Sequence, residues 1–133
     1  MRNGADDTQV PDDEMLARFI LQSNHYRADG TVKPDAFVPF PLPNLSVTRH
    51  IGLSEEQLWE NGQAVAADVS KPLYGRADLR TEAFTSVKLT VRAAPVQENP
   101  NHANVSGWPK EKPEQKSKAQ EIAANAAFVK VPE

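Results

Sequence analysis

The stretch Phe84-Thr85-Ser86-Val87-Lys88-Leu89-Thr90-Val91-Arg92-Ala93-Ala94 decides the fold. Val87, Leu89, Val91 and Ala93 alternate with Lys88, Thr90 and Arg92, the period of two by which a strand buries one face. A strand of a doubly wound parallel sheet is buried on both faces and reads as an unbroken apolar run. Alternation over this length therefore predicts an antiparallel sheet covered on one side. Working outward, Leu73 to Leu79 reads as a shorter strand containing Gly75. Leu45-Ser46-Val47-Thr48-Arg49 alternates with Leu45 and Val47 inward. A further short strand, Ala103-Asn104-Val105, sits in the long polar connection from Pro95 to Pro113.

Helical signals flank these strands. Asp12 or Asp13 can cap a first helix, Glu14 suits the positive end of its dipole, and Met15, Leu16, Phe19 and Ile20 supply an apolar stripe ending near Leu21 or Gln22. Ser54-Glu55-Glu56-Gln57 is a capping box. It opens a second helix whose buried face is Leu58, Trp59, Ala64, Val65 and Ala66, with Trp59 in the core. Gly62 weakens its middle by about 1 kcal/mol relative to Ala, which predicts an interruption there. A last helix starts after Pro113 and presents Ala119, Ile122, Ala123, Ala126 and Ala127, with Phe128 and Val129 continuing the apolar surface. Between the first helix and the Leu45 strand, Asp29-Gly30 marks a turn, and Pro34, Pro39, Pro41 and Pro43 exclude a regular helix or central strand. The apolar Phe37, Val38, Phe40 and Leu42 predict an extended segment draped over the domain. The expected architecture is one α+β domain over residues 12–133, preceded by a disordered tail at 1–11. Its small, mostly antiparallel sheet has three to four strands packed on one face by two or three helices.

Composition bounds the function. The chain has 133 residues, 39% apolar and 25% charged, with eleven prolines and a formal net charge of −3. One domain fits that length, and the mild acidity argues against a protein that coats nucleic acid, without excluding a local basic patch. The absence of cysteine removes disulfides, thiolate metal sites and cysteine nucleophiles and fits a reducing compartment. No apolar run approaches the ~20 residues that span a bilayer, and the Met1-Arg2-Asn3-Gly4 start lacks a secretory pattern. The expectation is a cytoplasmic protein with no membrane partner. His25, His50 and His102 lack metal-site spacing, and the glycines form no phosphate loop, so neither metal nor cofactor is expected.

Polar chemistry concentrates between Asn99 and Pro109: Asn99-Pro100-Asn101-His102-Ala103-Asn104-Val105-Ser106-Gly107-Trp108-Pro109. Asn99, His102, Gly107, Trp108 and Lys110 are the candidate ligand-binding residues. Lys110, Lys112, Lys116 and Lys118 near a helix start can hold an anion, or, offset by Glu111 and Glu114, form a solvated linker. An imidazole can act as a base near neutral pH, a role open to His102, or its ring can bond the backbone of its own turn. Arg49 can grip a phosphate bidentately beside His102, or pair with Glu55 or Glu56. Ser46 completes the catalytic candidates with His102 and Arg49, although no nucleophile elbow is present. Trp59 belongs in the core, whereas Trp108 between Gly107 and Pro109 is expected half exposed and able to contact a partner.

The Leu45-Ser46-Val47-x-Arg49 strand, the Asn99-Pro100-x-His102-Ala103-x-Val105-x-Gly107 motif and Lys116 to Ala123 resemble a group of small uncharacterised bacterial proteins. These pair an S-V-x-R strand with an N-P-x-H-A-x-(I/V)-x-G motif, and an earlier Leu16-Ala17-Arg18-Phe19-Ile20 stretch matches as well. The resemblance covers most of residues 14–127 and implies no activity. It marks Ser46, Arg49, Asn99, Pro100, His102 and Gly107 as positions to test.

Two functions are compatible with these readings. One is a binding or accessory module that meets a partner protein through Trp108 and the Phe37 to Leu42 segment. The other is an enzyme or nucleic-acid-processing protein acting on a phosphate-bearing ligand through Arg49 and His102.

Overall fold

The computed structural model describes residues 9–132. The chain folds around a six-stranded, entirely antiparallel sheet in the order β4-β5-β2-β1-β3-β6. The strands are β1 (Met15–Ile20), β2 (Leu45–Arg49), β3 (Gly75–Arg80), β4 (Thr90–Ala93), β5 (His102–Ser106) and β6 (Ala127–Lys130). Helices α1 (Glu55–Asp68), the single turn α2 (Glu82–Thr85) and α3 (Lys112–Ala123) complete it, with 3-10 turns at Ser23–His25 and Pro34–Phe37. The α+β class and the antiparallel sheet agree with the sequence. The sheet is larger than the three to four strands expected, and it is covered on both faces.

The extra strands have physical reasons. The expected first helix is β1, a central strand bonded to β2 on one side and β3 on the other. Leu16 and Ile20 enter the main core while Ala17 and Phe19 enter a second cluster on the opposite face. A strand buried on both faces puts apolar residues at consecutive positions, which is how it imitates a helical stripe. Phe128 and Val129 do not extend the last helix but form the edge strand β6, paired with Ala77 and Arg76. The long expected strand from Phe84 to Ala94 is reduced to β4. Phe84 lies in α2, and Lys88 takes φ +68°, a left-handed conformation that breaks an extended chain. Its inward alternation nevertheless holds, because Val87, Leu89 and Val91 are all buried.

The main core lies between one sheet face, α3 and the Pro34–Phe37 turn. Phe37 and Phe84 are fully buried there and meet edge-on at 6.1 Å between ring centroids. Ala119, Ile122 and Ala123 bury one face of α3 in the main core, packed on the Pro34–Phe37 turn, whereas Ala126 and Ala127 of the expected stripe lie beyond the helix, Ala127 exposed in β6. Of the expected tail, residues 1–8 lie outside the described residues. Val10 belongs to the core, donating to the Val91 carbonyl at 3.0 Å, and Gln9 bridges Arg92 along the β4 edge. No helix among the described residues is long and apolar enough to cross a membrane.

The opposite face is packed by α1, whose capping box is complete: Ser54 Oγ accepts from the Gln57 N–H and Gln57 Oε1 accepts from the Ser54 N–H. Leu58, Gly62 and Ala66 face the sheet at i, i+4 and i+8. Ala64 is exposed and Val65 half-buried. The helix runs through Gly62 without interruption, because the missing side chain is needed. A Cβ there would lie 2.7 Å from Cε1 of the buried Phe19. Gly62→Ala is therefore expected to destabilise the fold by about 1 kcal/mol, overpacking outweighing the gain in helix propensity. A urea-unfolding midpoint above the parent's would contradict this packing.

Trp59 is half-buried rather than a core residue. Its ring lies 4.6 Å from the Arg76 guanidinium, and its Nε1–H donates to Glu55. Arg76 is buried, donates to both Glu55 and Asp78, and Asp78 also meets His50 Nε2 at 3.0 Å. Burial pushes the Asp78 carboxyl up, but the hydrogen bonds from His50 and Arg76 prevail and hold it below its ordinary value. This network clamps the first turn of α1 to β3.

Candidate functional site

Register in the sheet decides which candidate residues meet. Thr48 pairs with His102, and Ser46 with Asn104, so Ser46, Thr48 and His102 share the α1 face of the sheet. With Asn99 they line a recess of about 50 Å³ beside Phe19 and Val65. That volume admits a water molecule or two, not a substrate.

Within this recess the Asn99 carboxamide and His102 Nδ1 are committed to the fold. Asn99 is buried. It donates to Thr48 Oγ1 at 2.8 Å and accepts from Asn61 Nδ2 and the Asn101 N–H. Asn101 donates to the carbonyls of Arg49 and Ile51, both at 2.8 Å. His102 Nδ1 lies 2.8 Å from the Ala94 carbonyl across the β4–β5 connection, a contact that requires the proton on Nδ1. The segment is thus a fastener joining β2, β5 and α1. This is the backbone-bonded role open to a histidine at that position, with the ring bonded to the strand before the turn.

Arg49 lies elsewhere. As the residue after Thr48 its side chain points to the opposite sheet face, where it makes a bidentate pair with Glu14, Nη2 to Oε1 at 2.8 Å. The Glu14 hydrogen bonds raise the guanidinium above its ordinary pKa. Arg49 and His102 lie on opposite faces of the sheet, and the carboxylate that satisfies Arg49 is Glu14, not Glu55 or Glu56. A phosphate site built from Arg49 and His102 has no geometric basis.

Trp108 and Lys110 do come together with another predicted segment. Gly107, at φ +94°, turns the chain out of β5. Trp108 then packs half-buried against the core, its Nε1–H donating to the Val105 carbonyl at 3.0 Å. Opposite stands the proline-rich stretch. Residues 40–43 and 108–110 line a groove of about 290 Å³ with Gln115 at its floor. Gln115 is 4% exposed and accepts from the Phe40 N–H at 3.1 Å while donating to the Pro109 carbonyl at 2.8 Å. Phe40 and Leu42 are 48% and 65% exposed, although Phe37 in the same segment is fully buried. Lys112 Nζ stands 5.8 Å from the Phe40 ring, and Lys110 is exposed at the groove rim.

Sequence reasoning missed Gln115, whose only signal is a polar residue one turn before Ala119 on the helix's small-residue face. It also missed Arg18, because reading Met15–Ile20 as a helix gave that side chain no special place. No family model, curated protein or solved structure matches the chain.

Proposed function

We propose that this protein is a cytoplasmic binding module that holds a partner protein through an apolar segment seated between residues 40–43 and 108–110. The observation that carries this reading is the convergence of the two segments, 65 residues apart in sequence, on one groove with exposed apolar walls. Exposed aromatic and aliphatic side chains beside a half-buried tryptophan are the usual makings of a protein-binding anchor site. Lys110 at the rim favours an acidic residue flanking the apolar anchor. Affiliation with the small bacterial group carrying the S-V-x-R and N-P-x-H-A motifs is part of the same proposal. The bonds of Asn99, Asn101 and His102 tie that motif to β2, α1 and the residue after β4.

Selection of peptides from a displayed random library, with the pure protein as bait, tests this directly. The expected result is enrichment of sequences with a bulky apolar residue next to Asp or Glu. Leu42 is a surface side chain, so Leu42→Asp leaves the fold intact. It should weaken the selected peptides by at least tenfold, the loss of about 1.4 kcal/mol. A library that yields no enriched pattern, or peptides that bind the Leu42→Asp variant equally well, would remove the proposal.

A further inference from the structure

Arg18 is the cation whose position the groove does not explain. It sits in the central strand β1 on the same face as Leu16 and Ile20, yet among the described residues no carboxylate pairs with it. Its Nε and Nη1 donate to the carbonyls of Ala36 and Ser46, both at 2.9 Å. Neither carbonyl carries a formal charge, and Nη2 has no hydrogen-bond partner among the described residues. Desolvating a guanidinium without a counter-ion is costly. Burial lowers the Arg18 guanidinium to about 10. His25 is likewise lowered, first by burial and then by the Arg18 charge.

Arg18 lines a cleft of about 360 Å³ together with Gln22, His25, Phe40, Lys112 and Lys116. Among the described residues Asp35 is the one carboxylate on its wall, half exposed and 3.5 Å from Lys116. Three permanent cations therefore face a single carboxylate, an excess of two positive charges in a chain whose net charge is −3.

We propose that this cleft binds a small phosphate monoester, with the phosphate between Arg18, Lys112 and Lys116 and the organic group against Phe40. A monoester carries close to two negative charges at neutral pH and three acceptor oxygens, matching the excess charge and the donors available. Nη2 of Arg18 supplies a fixed, planar donor, and the two lysines at the start of α3 supply adaptable ones. The volume lies at the lower end of ordinary small-molecule sites, and the Phe40 ring forms an apolar wall for the ester group. The site is separate from the partner groove, although Phe40 borders both.

Titration of the full chain with phenyl phosphate, inorganic phosphate and sodium chloride at matched ionic strength, followed by NMR or calorimetry, tests the proposal. Phenyl phosphate is expected to bind saturably and several-fold tighter than inorganic phosphate, and chloride not at all. Lys112→Met with Lys116→Met changes two exposed side chains and should weaken phenyl phosphate at least tenfold. Arg18→Gln should abolish binding, provided thermal unfolding shows it folded; if it is not, the lysine variant decides alone. Phe40→Ala should bring phenyl phosphate down to the affinity of inorganic phosphate. Responses that follow ionic strength alone, or undiminished binding by the double lysine variant, would overturn the proposal. Loss of peptide binding in Leu42→Asp with phosphate binding intact would separate this site from the partner groove.

Discussion

Truncating Phe37 to alanine is expected to cost about 3–5 kcal/mol of folding stability, the range for removing a fully buried aromatic ring. Phe37 is completely enclosed, meets Phe84 edge-on and closes the turn Pro34–Phe37 against α3. For a domain of this size the loss corresponds to a fall in melting temperature of roughly 10–20 °C. Urea unfolding should show a lower midpoint with an unchanged slope, since the change acts on stability and not on the surface exposed at unfolding. Phe37→Leu, which keeps most of the buried volume, should recover the larger part. An alanine variant within about 1 kcal/mol of the parent would mean that the proline-rich segment is not pinned by this ring.

The second large effect belongs to the other face. Arg76→Met should cost about 3 kcal/mol at neutral pH, because it leaves Asp78 half-buried with only His50 and releases Glu55 from α1's clamp. The pH dependence follows from the depressed Asp78 carboxyl. A carboxyl held below its unfolded value stabilises the fold fully above that value, about 3.9 for aspartate. The contribution is lost as pH falls through the lower native value. The parent should therefore lose stability below about pH 4, whereas Arg76→Met has less of this contribution to lose. The gap between the two proteins should narrow in acid. Chemical denaturation at pH 7 and pH 3 measures it, and a gap that stays constant would show that Arg76 acts through packing against Trp59 and not through charge.

What could be read in advance follows from how local each signal is. The start of α1 was legible because Ser54 and Gln57 satisfy each other three residues apart. The strand β2 was legible because Leu45 and Val47 alternate with Ser46. β1 was not, since a short strand buried on both faces and one turn of an amphipathic helix place Leu16, Phe19 and Ile20 alike. Only its pairing with β2 and β3 resolves the two. The alternation from Val87 to Val91 reported burial correctly while misreporting backbone, because loops can point alternate side chains inward as strands do. For the site, both walls of the groove were legible as separate stretches, the Phe40–Leu42 apolar residues and Trp108. Their meeting depends on Gln115 and the packing of α3, which no short window of sequence contains. The Arg49–His102 pairing failed for a related reason. The two residues lie near each other along paired strands, but the pleat sends their side chains to opposite faces.

For the proposed partner groove, the two bonds of Gln115 have a consequence. One carboxamide reaches both walls of the groove, from the Phe40 amide on one side to the Pro109 carbonyl on the other. The spacing between the walls is thereby set by the length of a glutamine head group before any ligand arrives. A groove whose width is fixed in the free protein loses little conformational entropy on binding. It should also discriminate by size, accepting one class of anchor side chain and rejecting those a ring too large.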